Sequence, residues 1–352
     1  MLVLAAMGLS ASGCTLVFGN DLNKKHEDNG GGGGSGGGGT TAPCTVSGTN
    51  HTKLVITSVT LPIQRTDYSL DLNGDGRTDN QYAALVGALT GQGLNSQMTI
   101  NAAVRAGTAL QLIDLVSSDT AFMSDACAGA SLQAAVSQSS PDFSGHGVFT
   151  VDGQKAPAAY SGSLVTGTFS STPVATSTSS VELPFQLAIG TTMAVAPLVA
   201  THIQYTLAPN GLMTGQLNGA MRSVDVQTFL IPAIAAGYQA QANDNPSSAN
   251  TMQLRAIFDT GGGGDGSGCQ TTGGQPACRN PSYGPRANQC ADARDAIFDL
   301  CELSNSNLLK NLLAADVQLF AADGVTFAPD RGNAMKDSVS VGVGFTAFGA
   351  SF

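Results

Sequence analysis

Tryptophan is absent from these 352 residues, tyrosine occurs six times, and aromatic residues make up only 6% of the chain. That leaves little material for the aromatic girdles at the two rims of a membrane-spanning barrel. Charged residues reach 11%, with 15 Lys and Arg against 25 Asp and Glu, a formal charge of −10. A chain so acidic, with no basic patch, suits cations and not nucleic acid or anionic lipid. The sequence carries no phosphate loop, dinucleotide fingerprint or H-E-x-x-H spacing, and its histidines, His26, His51, His146 and His202, are scattered. No apolar run is long enough to cross a bilayer as a helix. What is present is 42% hydrophobic, enough for a substantial core.

The first fourteen residues, MLVLAAMGLSASGC, are apolar and turn small just before Cys14, the shape of an export leader. Ala11-Ser12-Gly13-Cys14 resembles a bacterial lipobox, with Ala11 where Leu is usual and no Lys or Arg ahead of the apolar run. The resemblance implies cleavage that leaves a lipidated Cys14 as the first residue, and Thr15 behind it implies sorting to the outer membrane. Residues 15–43 follow, including GGGGGSGGGG at 30–39. Such a run buries no surface and acts as a flexible tether with a root-mean-square reach of about 30 Å. Its Gly33-Gly34-Ser35-Gly36-Gly37 matches a nucleophile elbow in letters alone, for neither a strand nor a helix flanks it.

Setting Cys14 aside for lipid leaves Cys44, Cys127, Cys269, Cys278, Cys290 and Cys301, an even set suited to disulfides in an oxidising compartment. The stretch after Cys290 reads as helix, and residues eleven apart on a helix lie about 16 Å apart. A disulfide needs Cα atoms within about 7 Å. Cys290 and Cys301 are therefore expected to pair with Cys269 and Cys278 in some order, leaving Cys44 for Cys127. A zinc site is the rival, but these four lack paired Cys-x-x-Cys spacing.

The body reads as α+β, an antiparallel, sandwich-like sheet with several flanking helices, stapled by disulfides. Residues 44–258 form the main domain, 259–289 a loop rich in Gly and Cys, and 290–352 a helix plus strands packed on that domain. Lys53 to Leu61 is a β-branched strand. Tyr82, Leu85, Val86 and Leu89 recur at helical spacing, and Ser96 and Gly107 bracket a second helix. Val181 to Ile189 alternates, and Pro209-Asn210-Gly211 turns a hairpin. Ser223 opens a helix that Pro232 interrupts. Val339 to Ala347 alternates again and, with Phe352, is similar to the closing strand of an outer-membrane barrel. Its parity opposes that reading, because Val339, Val341, Val343 and Phe345 are odd whereas Phe348 and Phe352 are even.

Two stretches carry candidate chemistry. In DLNGDGRTDN, residues 71–80, Asp71, Asn73, Asp75, Gly76 and Asp79 occupy positions 1, 3, 5, 6 and 9 of a calcium loop, with the Arg77 carbonyl as the ligand at position 7. Hard carboxylate and amide oxygens select Ca²⁺. The loop resembles those of dockerin, FG-GAP and thrombospondin type 3 repeats. Tyr82 stands at position 12, where an EF-hand has a bidentate Glu, so the expected dissociation constant is the extracellular-grade one of about 10⁻⁴ to 10⁻³ M. An Asx-rich turn capping the following helix would use the same residues without metal. Asp259-Thr260-Gly261 matches one half of an aspartic-protease centre, but such enzymes need two carboxylates sharing a proton, and no second D-[ST]-G occurs.

Together, the lipobox-like start, the glycine tether, DLNGDGRTDNQ, GQLNGAM and NLLAADVQLF…KDSVSVGVGFTAF are similar to a family of uncharacterised myxobacterial-type outer-membrane lipoproteins. The resemblance implies location and calcium, and carries no activity. The expectation is a cell-envelope lipoprotein with a structural calcium site and a binding, adhesion or scaffolding role towards a protein or glycan partner. A secreted hydrolase using Asp259 and an outer-membrane barrel are the alternatives, and the balance of residues favours a role without catalysis.

Overall fold

Strands with one apolar and one polar face must bury the first and wet the second, and this chain repeats the pattern until the sheet meets itself. The computed structural model describes residues 44–91, 96–155, 157–171, 183–189, 192–208, 210–258, 271–272, 275–276, 298, 303–304 and 306–352, without the side chains of 183–189 and 192–196. In chain order the elements are β1 (Asn50–Thr60), α1 (Tyr82–Gly91), α2 (Ser96–Arg105), β2 (Gln111–Ser117), β3 (Ser124–Ala134), β4 (Ala158–Val165), β5 (Thr168–Ser171), β6 (Leu183–Ile189), β7 (Thr192–Leu207) and β8 (Met213–Arg222). Then come α3 (Ser223–Asp225), a π-turn over Val226–Leu230, α4 (Ile231–Asp244), α5 (Ala249–Phe258), the two-residue strands β9 (Thr271–Thr272) and β10 (Gln275–Pro276), α6 (Asn307–Leu312) and β11 (Ser338–Gly349).

The strand order is β5-β4-β3-β2-β1-β11-β8-β7-β6, antiparallel throughout. A further pairing, Phe169 opposite Tyr205, joins β5 to the C-terminal half of β7. That contact closes an eight-stranded barrel and leaves β6 paired to the N-terminal half of β7, outside the ring. The expected sandwich-like α+β body is thereby corrected. Alternating strands satisfy a sandwich and a barrel equally well, and only the long-range β5–β7 pairing decides between them.

The inside of the barrel is apolar. Leu54 faces Ile113, Ile56 faces Ala347, Val343 faces Leu217, and the rings of Phe169 and Tyr205 stack at 4.9 Å. All belong to one buried cluster, and each large side chain so buried contributes about 1.5–3 kcal/mol. The outside is polar. Ser58, Thr346, Thr214, Thr206 and Thr168 lie in register across five neighbouring strands, and the next row carries Ser163, Ser170, Gln204 and Gln216.

Helices close one end of the barrel. Helix α1 buries Tyr82, Ala83, Leu85, Val86 and Leu89. Helix α2 packs on β1 and on the β6–β7 hairpin, and supplies side-chain partners where β1 leaves the sheet: the Val59 N–H donates to Asn101 Oδ1 at 3.0 Å and the Leu61 N–H to Gln97 Oε1 at 2.7 Å. Pro232 sits at the start of α4, and Tyr238 of α4 stacks on Phe258 of α5 at 4.9 Å. At the other end Phe122 plugs the mouth from the β2–β3 turn, 7% exposed. The Asp119 carboxylate holds that turn by accepting from the N–H groups of Ala121, Met123 and Ser124.

Two segments lie against the outer wall of β7, β8 and β11. The first, residues 61–81, crosses a path of glycines. A Cβ on Gly342 would stand 1.9 Å from the Tyr68 carbonyl, and one on Gly344 would stand 2.4 Å from the Tyr68 ring. Any larger residue at either position would lift this strap off the barrel. The second, residues 316–337, packs Val317, Leu319 and Phe320 onto Val199, Ala200 and Ala220, with Leu72 of the strap in the same cluster.

Candidate calcium centre

The loop begins and ends on a two-residue ladder. The Asp79 N–H donates to the Leu70 carbonyl at 2.9 Å and the Leu70 N–H returns to Asp79 at 3.4 Å, so residues 71–78 are forced out as a tight excursion. Within it the side chains of Asp71, Asn73 and Asp75 turn inward. Asp71 Oδ1 accepts from the N–H groups of Gly74 and Asp75 at 2.7 and 3.1 Å, and Oδ2 from Gly76 at 2.8 Å. Asn73 Oδ1 accepts from the Asp75 N–H at 3.2 Å, and Asp75 Oδ1 from the Arg77 N–H at 2.8 Å. Gly76 adopts φ +86°, the left-handed turn that position 6 requires.

This wrapping brings carboxylate oxygens of Asp71, Asp75 and Asp79 within 4.8 Å of one another. Asp79 Oδ2 is buried and has no hydrogen-bond partner. Burial, and then the negative charges of Asp316, Asp75 and Asp71, push the Asp79 carboxyl up to about 8, against a smaller opposing pull from Lys336. Asp316 is likewise held above the ordinary carboxylate range by burial, although it accepts from both the N–H and the Oγ–H of Ser340. Three converging carboxylates, one with a dry, unpaired oxygen, form a set short of positive charge. The donor set is all hard oxygen, which fits Ca²⁺. Tyr82, at position 12, is 2% exposed in the core cluster and offers no ligand.

A second loop grips the first. Asn73 Nδ2 donates to Asn333 Oδ1 at 2.8 Å and to the Asp330 carbonyl at 3.2 Å. Asn333 Nδ2 donates to Asp75 Oδ2 at 2.9 Å, and Asn333 Oδ1 also accepts from the Gln318 N–H. Sequence reasoning missed Asn333, Asp330, Asp316 and Lys336 because nothing local marks residues about 240 to 260 positions away as partners.

Elsewhere, Cys44 and Cys127 form a disulfide with Cα atoms 5.7 Å apart. Cys14, Cys269, Cys278, Cys290, Cys301 and Asp259 to Gly261 lie outside the described residues. His51 lies 3.0 Å from Asp114 on the outer face of β1 and β2, whereas His202 is buried.

The geometry defines a closed antiparallel barrel with an apolar interior, a wetted wall and an acidic clip. No family model, curated protein or solved structure matches the chain.

Proposed function

We propose that this chain is an exported β-barrel lipoprotein, anchored in the outer membrane through lipidated Cys14 on the tether 15–43. In this reading it binds one structural Ca²⁺ through Asp71, Asn73, Asp75, the Arg77 carbonyl and Asp79. The observation that carries the calcium reading is the buried, unpartnered Asp79 Oδ2 beside the carboxylates of Asp71 and Asp75. An ion there offsets the acceptor-only charge and fastens the strap, through Asn73 and Asp75, to the 316–337 segment. The body then acts as a rigid, wetted display surface for a protein or glycan partner, a binding or scaffolding role without catalysis.

The barrel alternative gains its fold, but the distribution of polarity favours a barrel outside the bilayer. Spanning barrels turn an apolar band outward and often a polar lumen inward; here Thr168, Thr206, Thr214 and Thr346 face out while Phe169, Tyr205, Leu217 and Val343 face in. Among the described residues no helix is long and apolar enough to cross a membrane, so in this reading attachment rests on the lipid.

Cell fractionation tests the anchor: Cys14→Ser should move the chain from the membrane fraction to the soluble one, and retention in the membrane would refute lipid anchoring. Calorimetric titration tests the ion: one site with a dissociation constant of about 10⁻⁴ to 10⁻³ M is expected, and no heat with Ca²⁺ up to about ten times that range would refute it.

A further inference from the structure

Where β2 begins and β3 ends, three segments enclose a cavity of about 280 Å³. They are the turn from α2 into β2, the chain that leaves β3, and residues 150–155, which run back along it through the antiparallel Ala135–Val151 bridge. Backbone bonds fix the walls: the Val136 N–H donates to the Thr150 carbonyl at 2.8 Å, Asp152 to Ala134 at 2.9 Å, and Gln138 to Gly107 at 3.1 Å. Gly107 has φ +74°, and a Cβ there would stand 1.8 Å from the Gln138 carbonyl, so the close approach of these two segments requires glycine. The cavity is thus preformed, as small-ligand sites usually are.

Its lining divides by chemistry. The buried Leu110, Ala134 and Ala135 form an apolar floor, and Asp152, Lys155, Thr108 and Ser137 bring the polar groups. Lys155 Nζ lies 3.6 Å from Asp152 Oδ2, beyond the hydrogen-bond range of about 2.7–3.2 Å. The two heads therefore offset each other's charge while the ammonium keeps donors, and the carboxylate lone pairs, for a guest. Asp152 Oδ1 accepts from the Gln154 N–H at 3.1 Å, which orients the carboxylate. Thr108 Oγ1 donates to the Ala103 carbonyl at 3.1 Å, so towards a guest it is an acceptor.

This set selects a ligand class. A simple ion would meet a charge already offset by its neighbour, and a wholly apolar guest would strip water from two charged heads without replacing it. The volume falls just below the about 300–1,000 Å³ of drug-sized sites, which suits a single ring and not a dinucleotide or a lipid chain. A neutral sugar ring meets each condition. Its hydroxyls donate to Asp152 and Thr108 and accept from Lys155, and its C–H face covers Leu110, Ala134 and Ala135.

We propose that this pocket is a subsite for one ring of a neutral glycan, with Asp152 and Lys155 as its hydrogen-bonding pair. The inference rests on the binding role proposed above and takes the glycan from its two partner classes; it needs neither the calcium ion nor the lipid.

Backbone amide NMR shifts of the Cys14→Ser chain, titrated separately with glucose, galactose, mannose and N-acetylglucosamine, test it. At least one sugar should give saturable shifts at Ala134, Ala135, Asp152 and Lys155, with a dissociation constant of about 1–10 mM, the affinity that about a dozen non-hydrogen atoms supply. Asp152→Asn and Lys155→Met, both at solvent-reached side chains, should each weaken that binding about tenfold and leave the remaining spectrum in place. Saturable shifts on another face, or binding unchanged in both variants, would overturn the pocket while keeping the glycan-binding role. Absence of shifts with all four sugars would also overturn the pocket, and leaves the protein-partner form of the binding role standing.

Discussion

Asn333 and Asp75, 258 positions apart in the chain, are joined by a 2.9 Å hydrogen bond from the Asn333 amide to Asp75 Oδ2. The same side chain accepts from Asn73 and from the backbone of Gln318, so one residue orients two positions of the 71–79 loop and fixes the segment that covers the wall. Asn333 is held at φ +48°, a left-handed conformation that Asn tolerates better than most side chains. Asn333→Ala is expected to cost about 1–3 kcal/mol in denaturant unfolding and to weaken calcium binding severalfold by calorimetry. Wild-type affinity in this variant would remove Asn333 from the site.

Asp79→Asn separates the cost of the carboxylate from the benefit of the ion. The folded pKa of Asp79 lies above its unfolded value, so its contribution to stability is present below about pH 4 and is lost as pH rises through about 8. Calcium-free Asp79→Asn should lack this slope and be more stable than calcium-free wild type by about 2 kcal/mol at pH 8, a figure discounted because solvent still reaches part of the carboxyl. It should also lose the calcium response. A variant that still responds to calcium would show that Asp79 is not a ligand.

His202 gives the opposite slope. Burial lowers its folded pKa to about 4 against 6.5 for the free group, so its contribution is present above pH 6.5 and is lost as pH falls through about 4. The difference is worth about 3 kcal/mol. His202→Phe should flatten the stability profile between pH 6.5 and 4, as read by urea unfolding at each pH; an unchanged slope would assign it to other groups.

Reduction reads the one disulfide among the described residues. Cys44 and Cys127 are separated by 83 positions, and a loop of that size corresponds to about 4–5 kcal/mol of chain entropy, of which about 2–4 kcal/mol is normally realised. Cys44→Ser with Cys127→Ser should therefore lower the unfolding free energy by that amount.

Much of the local architecture was legible, because it depends on neighbours in sequence. The apolar spacing of Tyr82, Leu85, Val86 and Leu89 marks α1, Ser96 and Gly107 bracket α2, and Asn210-Gly211 turns β7 into β8. Even the parity of the last strand was correct: Val341, Val343 and Phe345 lie in the core cluster, while Phe348 pairs with Val55 on the other face. That parity weighs against a strand closing a lipid-facing barrel and says nothing of a barrel with an apolar interior, because closure depends on Phe169 meeting Tyr205, which no local pattern encodes. For the same reason Asp71, Asn73, Asp75 and Asp79 could be read as one loop, whereas Asn333 and Asp316 could not be joined to it.

The measurement that bears most directly on the calcium clip is the melting temperature of the purified Cys14→Ser chain in EDTA and in 10 mM Ca²⁺. An ion that binds only the folded state with a dissociation constant of about 10⁻⁴ to 10⁻³ M adds about 1.4–2.7 kcal/mol at that concentration. For a chain of this size that corresponds to a rise of about 2–4 °C, reproduced poorly or not at all by Mg²⁺, which demands tighter octahedral geometry. Identical melting temperatures in EDTA and Ca²⁺ would contradict the account and leave residues 71–79 as a turn held by its own hydrogen bonds.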